Sequence, residues 1–235
     1  MIEVNSILIL YRKLYKSKII KSETKDWIMG NEYYKKYIEQ LMEINRGDNK
    51  RPILLFHVCC GACSIYPLIS IVDLFKIKIF FTNSNIYPYE EFNRRLNALK
   101  KHVEFVNKTF SADIEVIVDE YDYENFKIDL IPYKDEKEGM HRCKICIYKR
   151  MKRLFLYARS NNIHYVSTVM SISRNKDTNY LNEIGKILEK DFKDIEFIYT
   201  DFKKNDGQDL GVEISKLEEI YRQDYCGCEF SKINQ

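Results

Sequence analysis

All seven cysteine residues of this 235-residue chain lie in three short motifs. The motifs are Cys59-Cys60-Gly61-Ala62-Cys63, Cys143-Lys144-Ile145-Cys146 and Cys226-Gly227-Cys228. Free thiols that only fill a core behave as small hydrophobic side chains and would be scattered singly through the sequence. Their complete clustering predicts that the sulfur atoms act together. The fold must therefore bring three distant segments of the chain to one place.

The cellular compartment decides what clustered thiols can do. The apolar patch at residues 7–10 has no basic region before it and no small-residue cleavage site after it, so no signal peptide is predicted. No stretch approaches the roughly 18 consecutive apolar residues of a membrane span, and we expect a cytoplasmic protein without a membrane partner. Disulfides are rarely kept in the cytosol, where clustered thiols indicate metal or redox chemistry. The net charge of +3 permits a nucleic-acid partner without requiring one.

Short apolar runs after residue 50 predict a parallel sheet. The runs lie at residues 53–58, 77–81, 114–118, 165–170 and 196–199, and amphipathic helical patterns separate them, one of which is predicted to begin at Cys146. This alternation predicts an α/β fold, a Rossmann-like parallel sheet of about five strands with helices on both faces. Helical segments are expected at the N- and C-termini. We predict an N-terminal helical extension over residues 1–50, joined by a linker, and an α/β catalytic domain over residues 51–235 that carries all three cysteine motifs.

The ends of the predicted strands indicate where the site lies. In open parallel sheets, ligands bind outside the carboxyl ends of the strands. Cys59 follows the first strand, Asn83 the second, residues 171–177 the fourth and Asp201 the fifth. We therefore expect four separate segments to converge on one crevice.

The number of thiols favours a complex site. Four thiolates satisfy one zinc ion or one iron–sulfur cluster. The two-residue gap between Cys143 and Cys146 lets both sulfur atoms reach one centre, and Gly227 permits a sharp turn between Cys226 and Cys228. Three thiols then remain, enough for a second metal or a redox-active dithiol. The sequence favours this interpretation over a single structural zinc with spare thiols and over thiols without a ligand.

Several other residues have both a functional and an ordinary structural interpretation. His57, inside the first strand, is either a satisfied core side chain or a residue that tunes a thiolate or supplies a proton. The basic segment 141–153, which includes Arg142, Lys149 and Arg150, is either a solvated helix face or a surface that lowers thiol pKa values and attracts RNA. Arg174 lies in a polar loop that is suited to contacting phosphate or substrate.

The motifs together resemble a known family, the cobalamin-independent epoxyqueuosine reductases called QueH. The matching segments are residues 54–64, 142–146, 167–173, 201–204 and 221–231, in the order found in that family. Ala62 stands where the family commonly has Pro, and Lys203 stands where it commonly has Arg. Both departures leave the positions of the sulfur atoms unchanged.

The resemblance implies an activity and a cofactor. It implies an oxidoreductase that reduces the epoxide of epoxyqueuosine to queuosine at the wobble position of tRNA, the last step of queuosine biosynthesis. It also implies a [4Fe–4S] cluster, with an additional adjacent iron ion as a possibility, and no cobalamin. The implied cofactor ligands are Cys59, Cys60, Cys143, Cys146, Cys226 and Cys228. Cys63 is counted both as a metal ligand and as a catalytic residue.

Catalysis further requires a proton donor, a substrate site and an electron source. The proton donor is His57, Asp201 or Tyr221, and the sequence does not choose among them; Asp201 is also a possible iron ligand. The residues expected to bind the nucleoside or the tRNA are Arg142, Lys149, Arg150, Arg174, Arg222 and Gln223. The electron donor is an unidentified partner.

The predicted fold is also similar to the HUP-type nucleotide-binding domains of tRNA-thiolating ATP pyrophosphatases. Their Ser-Gly-Gly-X-Asp-Ser phosphate loop corresponds here to residues 59–64, in which thiols replace most of the phosphate-binding residues. We therefore expect no ATP binding. Two other functions remain open at this point, a zinc-stabilised RNA-binding protein without catalysis and a tRNA sulfur-transfer enzyme that uses a cysteine persulfide.

Overall fold

The computed structural model describes residues 32–46, 51–204 and 206–233. Its elements in chain order are α1 (Glu32–Arg46), β1 (Ile53–His57), α2 (Gly61–Ile71), β2 (Lys76–Phe81), α3 (Tyr89–Phe110), β3 (Glu115–Val118), α4 (Tyr123–Ile128), α5 (His141–Ser160), β4 (Tyr165–Thr168), α6 (Thr178–Asp191), β5 (Glu196–Phe197), α7 (Gly207–Leu217) and α8 (Glu229–Ile233). The expectations for residues 1–31 and 47–50, including the apolar patch and most of the linker, lie outside the described residues. In the part of the chain that is described, no helix has both the length and the apolar composition to cross a bilayer.

The five strands form one parallel sheet in the order β3-β2-β1-β4-β5. The predicted α/β class and five-stranded parallel sheet are confirmed, whereas the Rossmann-like and HUP-type labels stay predictions. The chain runs outward in one direction through β2 and β3 and in the other through β4 and β5. At such a switch point a crevice opens beyond the carboxyl ends of the two central strands. His57, at that end of β1, lies beside Phe80 and Thr168.

Buried side chains cover both faces of the sheet. Successive residues of a strand point to opposite faces, and those of β1 belong to two different apolar clusters. Leu54 and Phe56 pack in one cluster with side chains of α2 and α3, such as Leu99. Leu55 packs in the other cluster with side chains of α5 and α6, such as Met151. Helices therefore lie on both faces, as the alternating pattern predicted.

The described part of the N-terminal extension packs on this core. Tyr37 and Leu41 of α1 are buried. The side chain of Gln40 donates to the carbonyl of Phe197 at 3.0 Å and accepts from the backbone N–H of Tyr199 at 3.0 Å. The division of the chain into two domains at residue 50 stays a prediction.

Three predicted element boundaries are wrong by two residues or more. α5 begins at His141 and not at Cys146, so its first two turns carry two cysteine residues. β4 ends at Thr168, whose hydroxyl accepts a hydrogen bond from the backbone N–H of Met170 at 3.1 Å and so starts the 3-10 turn Val169–Ile172. β5 contains only Glu196–Phe197, because the backbone N–H of Thr200, which would continue the pairing with β4, donates instead to Asn182 Oδ1 at 3.2 Å.

α3 is the longest helix among the described residues and shows a regular beginning and end. It starts directly after Pro88. Glu90 and Glu91 lie in its first turn, where negative charge interacts favourably with the helix dipole. Ser111 ends the helix in the left-handed conformation with φ 50°.

α2 and α3 approach closely at the residue where α2 begins. A Cβ atom on Gly61 would lie 2.6 Å from both the carbonyl carbon and the carbonyl oxygen of Ala98. Those atoms are backbone and cannot rotate away. Gly61 therefore allows the helix contact that sets the position of the neighbouring cysteine residues.

Replacing Gly61 with Ala should lower the free energy of unfolding by about 1–3 kcal/mol, because the added methyl group forces α2 away from α3. Gly211→Ala in α7 is the matched control, since its Cβ would lie 3.8 Å from the Cβ of Tyr66, an ordinary contact. Helix propensity predicts no loss of stability for the control. Urea unfolding followed by circular dichroism measures both variants, and equal stability of the two would contradict the packing argument.

Candidate metal centre

Three thiols lie together where β1 meets α2. Cys60 is the N-cap of α2, with an extended backbone, and its Sγ accepts a hydrogen bond from the N–H of Cys63 at 3.3 Å. The chain turns at this cap, so the side chains of Cys59, before it, and Cys63, after it, point to the same place. The Sγ atoms of Cys59, Cys60 and Cys63 all lie within 4.8 Å of one another. We call these residues the three-thiol group.

The other four cysteine residues line a second cavity, of about 430 Å³. Cys143 and Cys146 project from the first two turns of α5, and Cys226 and Cys228 come from the loop before α8. Gly227 between the last two has φ +107°, which glycine adopts without strain. We call these residues the four-thiol group and its cavity the four-thiol cavity. All seven cysteine residues of the chain are free thiols.

The two groups adjoin each other. A neighbouring cavity of about 250 Å³ is lined by Cys59 and Cys63 of the three-thiol group and by Cys226 of the four-thiol group. We call it the three-thiol cavity. Cys226 lines both cavities, so the structure brings all three cysteine motifs to one crevice at the carboxyl ends of the central strands.

Two cations lie between the cavities and line both of them. The Lys176 ammonium donates to Cys226 Sγ at 3.3 Å. The Arg150 side chain is 3% exposed, and its Nε donates to the carbonyl of Cys146 at 3.4 Å. Burial alone would lower the pKa of Lys176, but the negative charges of Cys226 and Cys59 together outweigh burial and raise that pKa. Each cation in turn favours the thiolate form of the sulfur atoms around it.

The three-thiol group behaves as one proton-sharing unit. Hydrogen bonds from the thiols of Cys60 and Cys63 hold the pKa of Cys59 well below its usual value. Burial raises the pKa of Cys60. The hydrogen bond to Cys59 raises the pKa of Cys63 to about 12. One thiolate is therefore shared by three sulfur atoms, and a metal that took all three would release two protons.

The segment before Cys226 forms another wall of the three-thiol cavity. Gln223 Nε2 donates to Cys60 Sγ at 3.0 Å and to Cys63 Sγ at 3.6 Å. Arg222 and Tyr225 line the same cavity. The predicted substrate residues Arg222 and Gln223 therefore lie beside the thiols.

The three predicted proton donors do not line either cavity. His57 is fully buried with Nδ1 2.8 Å from the hydroxyl of Thr168, and burial lowers its pKa to about 4, so it is neutral at pH 7. Asp201 is buried after β5, where it accepts from the N–H of Lys203 at 3.3 Å. The Tyr221 hydroxyl donates to the carboxylate of Glu91 at 3.0 Å.

The predicted basic residues fall in different environments. Arg142 and Arg150 are buried and line the four-thiol cavity. The interpretation of segment 141–153 as a solvated helix face is therefore wrong for these two residues. Arg174 is exposed at the mouth of both cavities and pairs with Asp209 at 3.0 Å. Lys149 lines a separate groove and donates to Asp129 at 2.5 Å.

Sequence patterns missed two residues of the site. Lys176 lies in the polar loop 171–177 that follows the fourth strand, and its position after a strand end was the available signal. Arg95 lines the three-thiol cavity from within α3. A single arginine within an amphipathic helix carries no sequence signal of a site.

The four-thiol cavity fits an anionic, sulfur-rich group. Nε and Nη2 of Arg142 and the hydroxyl of Ser231 are buried there without a hydrogen-bond partner. Buried polar atoms without a partner are costly, and an anion in the cavity would satisfy the two arginine donors. Four thiolates are also the number that one [4Fe–4S] cluster or one zinc ion takes.

Comparison with known proteins decides the family. The family model described as "Epoxyqueuosine reductase QueH" matches residues 54–234, which include every cysteine motif. This chain belongs to the QueH family. Its relatives include the epoxyqueuosine reductase QueH of Staphylococcus aureus, 32% identical over 205 residues that cover 86% of this chain and 85% of that protein. The corresponding protein of Thermotoga maritima is 32% identical over 185 residues, or 77% of this chain and 91% of that protein.

A third relative, the epoxyqueuosine reductase QueH of Streptococcus pyogenes, is 29% identical over 198 residues, which cover 84% of this chain and 77% of that protein. Each match covers more than three quarters of this chain and of the relative. The resemblance to the QueH family inferred from the cysteine motifs is therefore confirmed.

The opposite pKa shifts of Cys59 and Cys63 lead to a prediction for this QueH protein without metal. Iodoacetamide at pH 7 should modify Cys59 at least about tenfold faster than Cys63, because only a thiolate is a good nucleophile. Both residues are partly exposed and line the same cavity, so access is matched. Peptide mass spectrometry at short reaction times measures the two rates. Equal rates would contradict the predicted separation of the two pKa values.

Proposed function

We propose that this protein reduces epoxyqueuosine to queuosine at the wobble position of tRNA. The observation that carries the proposal is the meeting of seven thiols from three motifs in one crevice of a chain that belongs to the QueH family. The reaction takes two electrons and two protons and releases the epoxide oxygen as water. An external electron donor has to supply the electrons. A tRNA substrate is consistent with the cytoplasmic location expected from the sequence.

The two thiol groups would hold different metals. The four-thiol group has the ligand number of a [4Fe–4S] cluster. The three-thiol group, with Sγ atoms within 4.8 Å of one another, would hold the additional iron. When bound, such centres supply electrons one at a time for cleavage of a carbon–oxygen bond. Seven thiols exceed the need of one cluster, which supports this division over a single zinc site.

The walls of the three-thiol cavity are suited to a nucleoside extruded from RNA. Enzymes that act on a base take it out of the stack and grip its faces and edges. Tyr225 lines the cavity with an aromatic ring on which a base could stack. Gln223 lines it with an amide group, which a hydrogen bond to Cys60 Sγ holds in place. Arg174 and Arg222 lie at the same cavity with exposed side chains, where they would contact phosphate groups.

Protons must reach the departing oxygen from residues at the cavity. The Lys176 Nζ and the Tyr225 hydroxyl belong to residues that line the three-thiol cavity, unlike His57, Asp201 and Tyr221. The Tyr225 hydroxyl donates to the carbonyl of Tyr87 at 2.7 Å, so its proton is already engaged. Lys176 is therefore the residue that we assign to carry a proton beside Cys226.

The test is turnover with a defined RNA. Protein purified without oxygen should be brown and contain iron and sulfide. With a chemical reductant it should convert epoxyqueuosine in tRNA to a nucleoside that lacks one oxygen atom. Visible absorbance, metal analysis and nucleoside mass spectrometry measure these outcomes. A colourless zinc protein that binds the tRNA without converting it would support the non-catalytic alternative instead.

Cys143→Ala should lose metal and activity together, because it removes one ligand of the four-thiol group. We expect bound iron to fall by about half or more and the reduction rate to fall at least about 100-fold. Arg159→Ala, at the far end of the same helix α5, is the matched control and should keep both. Iron analysis and single-turnover kinetics check the prediction, and an unchanged iron content in Cys143→Ala would show that Cys143 is not a ligand.

A further inference from the structure

A buried arginine of α3 holds the backbone of the C-terminal cysteine motif. Arg95 is 1% exposed. Its Nη1 donates to the carbonyl of Cys226 at 3.0 Å, and its Nη2 donates to the carbonyl of Tyr225 at 3.1 Å. The two bonds fix consecutive peptide units of the loop, so the direction in which the Cys226 side chain leaves the backbone depends on this guanidinium.

Glu91 holds the same arginine from the other side. Nε of Arg95 donates to Glu91 Oε1 at 2.6 Å, one helical turn away. The Glu91 carboxylate also accepts from the Tyr221 hydroxyl. All three guanidinium nitrogens are therefore used. One network connects α3 to both ends of the segment from Tyr221 to Cys226.

The turn after Cys226 packs directly against the guanidinium group of Arg95. Gly227 has φ +107°, and a Cβ atom there would lie 2.8 Å from Arg95 Nη1. The carbonyl of Gly227 accepts from the N–H of Tyr87 at 2.7 Å, and the Tyr225 hydroxyl donates back to the carbonyl of Tyr87 at 2.7 Å. The loop is thus held by Arg95 on one side and by the segment before α3 on the other.

Burying a charged guanidinium requires compensation. Glu91, buried at 8% exposure, provides one negative charge. Arg95 also lines the three-thiol cavity, and its positive charge interacts electrostatically with the sulfur atoms of Cys59 and Cys60. Removing the arginine would leave a buried carboxylate unpaired and two carbonyls without a donor, the situation that destabilises a buried ion pair most. Through its contacts, Arg95 therefore connects α3 to two of the three cysteine motifs.

We propose that Arg95 is a positioning residue for the metal centre, one that fixes the Cys226-Gly227-Cys228 turn so that Cys226 faces the cavity shared with Cys59 and Cys63. This inference deepens the proposed function and rests on the cysteine motifs being metal ligands. Lysine cannot substitute, because one ammonium group cannot present three coplanar donors to a carboxylate and two carbonyls.

Arg95→Lys tests the proposal, with Arg51→Lys as the matched control. Arg51 also donates to a backbone carbonyl, that of Val72 at 3.3 Å, but it lies at the opposite end of β1 from the cysteine residues. After anaerobic loading with iron and sulfide, Arg95→Lys should lose iron to a chelator at least about tenfold faster than the wild-type protein. Arg51→Lys should match the wild type. Iron release and the electron paramagnetic resonance spectrum are the readouts.

A second readout does not depend on iron. In the metal-free proteins, alkylation mapped by mass spectrometry should be at least about tenfold faster at Cys226 and Cys228 in Arg95→Lys, because a loosened turn opens more often. Rates at Cys143 and Cys146, which α5 holds independently, should be unchanged. If the wild-type protein binds no iron, the proposed function fails, while the alkylation pattern still decides the role of Arg95. Wild-type rates at Cys226 and Cys228 would overturn the proposal.

Glu91→Gln extends the test to a variant that keeps the size of the side chain. It removes the charge that holds Nε of Arg95 but leaves an oxygen that can accept from Tyr221. Circular dichroism shows whether each variant is folded. If Arg95→Lys does not fold, Glu91→Gln decides: selective acceleration at Cys226 and Cys228 supports the proposal, and unchanged or uniformly raised rates at all cysteine residues overturn it.

Discussion

Bringing seven thiols to one edge of a parallel sheet creates a region whose negative charge the surrounding chain has to offset. Arg95, Arg150 and Lys176 do this from three different elements, α3, α5 and the loop before α6. Arg95 and Arg150 donate to the backbone carbonyls of Cys226 and Cys146, and Lys176 donates to Cys226 Sγ. Because a buried cation is costly unless it is paired, the cations and the thiolates stabilise one another. The same charge balance suits a metal centre, since metal binding requires deprotonated thiols.

The topology of the sheet makes this arrangement possible. The strand order reverses between β1 and β4, and the loops that follow these two strands diverge around a crevice. Cys59 and Cys60 leave β1 on one side, and the loop that contains Lys176 leaves the region of β4 on the other. The remaining cysteine residues come from α5 and from the C-terminal loop, which close the crevice. The site therefore depends on the tertiary fold and not on any single segment.

The sequence predicted local features better than distant contacts. Apolar runs such as 53–58 identified the strands, and the spacing of the cysteine residues identified the site and the family, because both signals lie within short segments. The contacts of Arg95 with Tyr225 and Cys226 join residues about 130 positions apart, and no local pattern records them. His57 shows the same limit, because its contact with the hydroxyl of Thr168, 111 positions away, is not recorded by any local pattern.

The start of α2 brings sulfur atoms to the N-terminus of the first helix that follows β1. In nucleotide-binding α/β domains, a glycine-rich turn at the N-terminus of the first helix binds phosphate through backbone N–H groups and the helix dipole. In this chain the corresponding N–H of Cys63 donates to the sulfur of Cys60, and Gly61 serves the contact with α3. The positive end of a helix lowers thiol pKa values as it stabilises phosphate. At the start of α2 the helix therefore meets sulfur atoms where a nucleotide-binding domain would hold phosphate oxygen.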